Sequence, residues 1–140
     1  MKILVVDGSR TIRVENERVL VHAGYEVVWA EDGESALRVA REQAPDLILL
    51  DLLLPRISGM DVLRRLKGGG ASAKIPVVMV SGLSERNREM LLQAGADDYL
   101  EKNVVMPEKG VNLLPKRLKD VICRIWRKRG IGLIPTVAAK

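Results

Sequence analysis

The chain has no phenylalanine, and tryptophan and tyrosine occur only twice each. Its core must therefore be built from Val, Leu, Ile, Met and Ala. A single cysteine, Cys123, excludes an internal disulfide and a cysteine-rich metal site. No apolar run approaches the roughly 20 residues that a membrane helix needs. The opening MKILVV reaches Asp7 too soon to be a secretory signal. These absences point to a cytoplasmic protein. What is present fits an ordinary globular chain: 140 residues, 47% apolar and 29% charged. That length suits one domain with a real core.

The net charge of +5 is unevenly placed. Residues 103–140 hold nine Lys/Arg against two acids, which leaves fourteen against sixteen in residues 1–102. The positive charge belongs to the C-terminal segment and not to the body.

Short β-rich runs alternate with helical patterns. The runs are Lys2–Val6, Glu26–Trp29, Leu47–Leu50, Val77–Val80 and Asp98–Leu100. Most are continuous apolar stretches, as parallel strands covered on both faces require. Between them Ile12, Asn16, Val19, Leu20 and Ala23 share a helical stripe that ends at Gly24. Ala36, Leu37 and Ala40 form a second stripe. Val62, Leu63 and Leu66 form a third, stopped by Gly68–Gly70, and Met90, Leu91 and Ala94 a fourth. The strongest stripe is the last, over Leu114–Arg129, through Leu114, Leu118, Val121, Ile122 and Ile125. GGGASA reads as a flexible loop. The order βαβαβαβαβα implies an α/β fold, a doubly wound five-stranded parallel sheet with helices on both faces. The domain is expected over residues 1–129, with 130–140 as a C-terminal tail.

In such a sheet ligands sit beyond the carboxyl ends of the strands. There strand one delivers Asp7, strand three Asp51 and strand four Ser81, while strand five leads to Lys102. With strand order 2-1-3-4-5, Asp7 and Asp51 stand on neighbours about 4.8 Å apart. Two carboxylates, a hydroxyl and an ammonium suit phosphoryl handling. A carboxylate can attack phosphorus, a hard cation can neutralise the oxygens, and the other two groups can bind them.

The stretches ILVVDGS, HAGYEVVWAEDGESALRVA, PDLILLDLLLPRISGMDVLRRLK, IPVVMVSG and AGADDYLEK carry a family resemblance. Over residues 1–127 the chain resembles the receiver domain of two-component response regulators, with its flavodoxin-like fold. The resemblance implies that Asp51 accepts a phosphoryl group from a phosphohistidine and that Asp7, Asp51 and the backbone carbonyl of Leu53 surround Mg²⁺. It further implies that Ser81 and Lys102 bind the phosphoryl group and that Ser81 and Tyr99 act as the switch. The implied partners are a histidine kinase or phosphotransfer protein, and a downstream protein on the face of the fourth helix, fifth strand and last helix. The chain is read as a signalling protein and not as an enzyme, apart from its own phosphorylation and dephosphorylation.

Three departures stand out. Receivers usually carry two adjacent acids after strand one, whereas this chain has Asp7-Gly8. Loss of a metal's supporting partner costs about 10–100-fold in affinity, so Mg²⁺ binding is expected to be weakened. No neighbour in sequence replaces the missing acid, since Glu15 lies two helical turns further on. Asn103 stands where a proline commonly follows the lysine, and residues 103–112 are longer than the usual connection.

Each residue also has a plainer reading. Asp51 could cap a turn before Pro55, and Asp7 could cap the first helix. Ser81 could be an ordinary strand-end hydroxyl, Lys102 a permanent ion-pair partner of Asp51, and Tyr99 half-buried core. His22 reads as a surface residue, Cys123 as inert, and Trp29 and Trp126 as partly buried. The basic last helix is a core-packing helix with a solvated face or a partner surface. Nucleic acid is disfavoured because hardly any chain remains for a reading module, and output is therefore expected through protein binding. The rival reading is a phosphate-independent pseudo-receiver that serves as an interaction module. A nucleotide- or flavin-binding enzyme on the same winding is disfavoured because DGSRTIR lacks a glycine-rich phosphate cradle.

Overall fold

The structure is a computed structural model that describes residues 1–82 and 86–130, the side chains of Arg86 and Asn87 excepted. The expected tail beyond Gly130 lies outside the described residues. Five strands form one parallel sheet: β1 (Lys2–Val6), β2 (Glu26–Ala30), β3 (Leu47–Asp51), β4 (Val77–Ser81) and β5 (Asp98–Glu101). Their spatial order is β2-β1-β3-β4-β5, as the sequence implies. The helices are α1 (Arg10–His22), α2 (Gly33–Gln43), α3 (Gly59–Lys67), α4 (Arg86–Gln93), α5 (Lys102–Val105) and α6 (Leu114–Lys128). β2 to β5 each run one residue beyond the expected run, and those extra residues include Asp51 and Ser81 themselves.

The pleat explains why the strands read as unbroken apolar runs. Side chains alternate between the two faces. Ile3, Val5, Leu47, Leu49, Val78 and Leu100 join the apolar cluster beneath α1 and α6. Leu4, Val6, Ile48, Leu50, Val77 and Met79 join the cluster beneath α2, α3 and α4. Both faces are covered, so neither set can be polar. The α6 stripe packs as expected: Leu114, Leu118, Val121, Ile122 and Ile125 are buried.

Several local expectations need correction. Met90 is half exposed, and α4 anchors through the fully buried Leu91. Trp29 is 52% exposed whereas Trp126 is buried, so the two tryptophans are not alike. GGGASA is partly ordered as a 3-10 turn over Ala71–Lys74. The long connection after β5 contains the extra helix α5, so the last helix is the sixth. The return segment folds back on the body: the Leu113 N–H donates to the Val105 carbonyl at 2.7 Å, and the Asn112 amide to Asn16 of α1 at 3.4 Å.

At the amino end of the sheet one carboxylate gathers the chain. Asp97 accepts from Lys67 Nζ at 2.8 Å, from the Val77 N–H at 2.8 Å and from Arg129 Nη2 at 2.9 Å. Arg129 also donates to the Lys74 carbonyl at 2.6 Å, which ties the end of α6 to the entry of β4. Burial by itself would raise the Asp97 pKa, but the Lys67, Arg129 and Val77 hydrogen bonds hold it below the ordinary carboxylate value.

Asp97→Ala should cost about 2 kcal/mol in urea denaturation at neutral pH, because it strips a part-buried Lys67 of its carboxylate partner and leaves it only the Ile75 carbonyl. Since the folded-state pKa is depressed, this contribution is present above about pH 4 and fades as pH falls through the folded value. The mutant and parent stabilities should therefore converge in acid.

Candidate functional site

The same alternation that splits the core places the acids. Asp7 follows Val5 by two residues and Asp51 follows Leu49 by two, so both acids face the α1/α6 side where their strands end. β1 and β3 are hydrogen-bonded neighbours with Val6 opposite Leu50. Both carboxylates therefore emerge side by side, and each residue is only 5% exposed.

Local turns then aim them. The Ser9 N–H donates to Asp7 Oδ1 at 2.8 Å, and the Leu53 N–H donates to Asp51 Oδ1 at 3.1 Å. Each acid thus binds the backbone two residues on, a turn that Asp adopts readily. The two Oδ2 atoms stay free of the backbone and converge on Lys102. Its Nζ lies 3.1 Å from Asp51 Oδ2 and 3.7 Å from Asp7 Oδ2. With Asn16 and Val105, these three residues line one small cavity.

Two further devices hold the frame. A β-carbon at Gly59 would collide with the Asp51 carbonyl oxygen and the Cα of Leu52. Only glycine lets α3 start so close to the end of β3, where the Gly59 N–H donates to the Leu52 carbonyl at 2.9 Å. Arg13, buried on α1, donates from Nη1 to the Asp7 carbonyl at 2.8 Å. Its guanidinium lies 4.7 Å from the Trp29 ring centroid, a cation–π contact that joins β1, α1 and the end of β2. The sequence reading missed Arg13 because it gave that stretch an apolar stripe.

The other expected site residues sit nearby but differently. Ser81 is fully buried and follows Val80, the register partner of Asp51. Two residues after Met79, it takes the opposite pleat from Asp51. Tyr99 is only 7% exposed and belongs to the α2–α4 cluster with Met79 and Leu91. Leu53 is 68% exposed, and its N–H is the one that donates to Asp51. Glu15, the nearest acid in sequence after Asp7, is engaged by Arg18 on the outside of α1.

The charge balance is lopsided. Two buried carboxylates share one ammonium. Burial pushes the Asp51 carboxyl above the ordinary carboxylate range. The Leu53 N–H pulls it down, the Asp7 charge pushes it up, and the pull of Lys102 does not restore balance.

A model of the response regulator receiver domain matches residues 3–112. The chain belongs to that family. Response regulator MprA of Mycolicibacterium vanbaalenii is 39% identical over 132 residues, covering 94% of this chain and 54% of that protein. The probable transcriptional regulator ycf27 of Porphyridium aerugineum is 35% identical over 135 residues, covering 96% and 53%. The chain spans about half the length of the curated relatives it matches. Among solved structures, a receiver domain protein from Clostridium thermocellum superimposes with TM-score 0.75 at 27% identity, covering 94% of this chain and 98% of that one. The BeF3-activated receiver domain of Klebsiella pneumoniae RstA gives 0.72 at 31% identity, covering 85% and 96%.

Receivers of this family accept a phosphoryl group in two-component signalling, interact with histidine kinases or phosphotransfer proteins, and generally bind Mg²⁺ at the acidic pocket. The pocket of this receiver fits such an ion in kind. It offers carboxylate oxygens from Asp7 and Asp51 against the one ammonium of Lys102, which leaves one uncompensated negative charge. It is sparse in number, because no cluster of three acidic, histidine or cysteine side chains forms among the described residues. Mg²⁺ tolerates such a set, since it commonly keeps several waters and takes one or two carboxylates. Among the described residues no helix is long and apolar enough to cross a membrane.

Asp51→Asn should stabilise the metal-free protein at neutral pH, on the order of 1 kcal/mol, by relieving the buried charge. A raised folded-state pKa costs stability as pH rises through it. The advantage of the variant should therefore vanish below about pH 4, as thermal melts across pH can show.

Proposed function

We propose that Asp51 is the phosphoacceptor of this receiver and that residues 1–129 act as one phosphorylation-dependent signalling unit. The supporting observation is the convergence of Asp51 Oδ2 and Asp7 Oδ2 on Lys102 at 3.1 and 3.7 Å, at the carboxyl rim of β1 and β3. Asp51 Oδ2 attacks the phosphorus of a phosphohistidine. The new P–O bond forms as the P–N bond breaks, and the imidazole leaves with the electron pair. Lys102 follows the charge from the carboxylate to a phosphoryl oxygen. The Ser9 and Leu53 N–H groups keep both acids aimed throughout.

Asp7, Asp51 and the Leu53 carbonyl would hold Mg²⁺, which supplies charge neutralisation between nucleophile and phosphoryl oxygens. The Ser81 hydroxyl is the second phosphoryl ligand. It links to Tyr99, whose ring sits in the α2–α4 cluster. Movement of that pair alters the face of α4, β5 and α6. There Arg88 and Arg124 already bracket the buried Asp98 at 3.8 and 3.0 Å, a charged surface suited to a downstream protein.

Incubation of the purified protein with a small phosphodonor and Mg²⁺ should add about 80 Da, one phosphoryl group, by intact mass spectrometry. Asp51→Asn should abolish the gain. No gain in the parent at saturating Mg²⁺, with donor and kinase both supplied, would instead mark a phosphate-independent interaction module.

A further inference from the structure

The lysine that the two acids share stands on a segment with little secondary structure of its own. Asn103, not proline, follows it, and α5 spans only Lys102–Val105 before the chain returns to α6. A lysine side chain is a flexible stem, so the place of its ammonium depends on how firmly its backbone is held. A helix of 4 residues does not hold itself. Contacts with the body do so here. Val105 is buried in the cluster beneath α1 and α6, and from the same face of α5 it lines the same cavity as Lys102. Its carbonyl accepts from the Leu113 N–H at 2.7 Å. Asn112, the next residue back, joins that return segment to two helices. Its Oδ1 accepts from the Leu114 N–H at 2.9 Å where α6 begins, and its Nδ2 donates to Asn16 Oδ1 of α1 at 3.4 Å. Asn16 is buried and lines the cavity beside Asp7, Asp51 and Lys102. Arg13, the other buried polar side chain of α1, bonds the Asp7 carbonyl. Acid and ammonium are thereby referred to one helix.

We propose that Asn112 is a positioning residue for phosphoryl transfer, pinning the return segment to Asn16 so that Lys102 stays on the Asp7 and Asp51 oxygens. Asn112 touches no reacting atom, and its effect runs through Leu113 and Val105 to α5 and its lysine. An amide suits the task because it accepts and donates at once: the oxygen holds the first N–H of α6 and the nitrogen reaches α1. The margin at the lysine is small, with Nζ 3.1 Å from one acid and 3.7 Å from the other. A displacement of about 1 Å at a reacting centre can cost on the order of 100-fold in rate. The proposal deepens the phosphoacceptor reading and rests on it.

The initial rate at which the full chain gains a phosphoryl group from acetyl phosphate and Mg²⁺, read by intact mass spectrometry, tests it. Asn112→Ser keeps an oxygen for the Leu114 N–H but loses the donor to α1. It should slow the gain about tenfold while melting close to the parent. Asn16→Ala removes the acceptor instead and should slow the gain to a similar degree. The double variant should be no slower than either single one, since both break one contact. In a Lys102→Met background, Asn112→Ser should slow the residual reaction no further. A parent-like rate in Asn112→Ser, with Asp51→Asn inert, overturns the role of Asn112 and leaves Asp51 as the acceptor. A tenfold loss that persists in the Lys102→Met background also overturns it, because the effect then does not pass through Lys102. No gain in the parent, with donor and kinase both supplied, overturns both readings. Should Asn16→Ala not fold or Lys102→Met show no gain, the rate of Asn112→Ser read against its melting temperature decides.

Discussion

Two buried carboxylates that must share one lysine are the constraint around which this receiver is organised. Asp7 and Asp51 lie on adjacent parallel strands and on the same pleat, so the sheet itself forces them together. Nothing in hydrophobic packing favours that arrangement. Burial and mutual repulsion both push the Asp51 carboxyl toward its protonated form, and Lys102 compensates only in part. A site held in that condition is poised for added positive charge. Perturbed titration of this kind is common where groups must do chemistry.

The molecule separates this unfavourable site from the parts that stabilise it. At the opposite rim Asp97 is surrounded by Lys67, Arg129 and the Val77 N–H, an arrangement that favours its ionised form. Between the rims lie two aliphatic clusters, one on each face of the sheet. Backbone geometry also serves the acidic rim. Gly59 allows α3 to begin against the Asp51 carbonyl, and Arg13 fastens the Asp7 carbonyl to α1 and Trp29. Rigid neighbours keep the two acids oriented without neutralising them.

Much of this was legible in the residues. Continuous apolar runs ending in Asp7 and Asp51 announced parallel strands with acids at one rim. The i, i+3, i+4 stripe of α6 predicted its buried face apart from Trp126. The misses share a cause, which is that side chains can use one end for packing and another for bonding. Arg13 occupies a helix position that periodicity did not mark as inward, yet its guanidinium is drawn in by a carbonyl and an indole. Met90 sits in a stripe whose Leu91 is buried in the core while Met90 itself is turned toward solvent. Lys102 lies beside Asp7 and Asp51 in the structure, but that it also opens a short helix was not visible, because four residues carry no period to detect.

By itself, the sequence determined the order of elements, the aliphatic nature of the core and the presence of an acid at the carboxyl ends of β1 and β3. Those follow from local patterns, since alternation, caps and glycine stops are properties of neighbours along the chain. Only the tertiary structure decided which groups meet. The parity of the pleat put Asp7, Asp51 and Lys102 in one cavity and Ser81 on the other pleat. Pairing of β1 with β2 brought the Glu31 carbonyl beside Gly8, twenty-three positions away in the chain. Such meetings depend on strand register, and register is settled by packing between segments that the sequence keeps far apart.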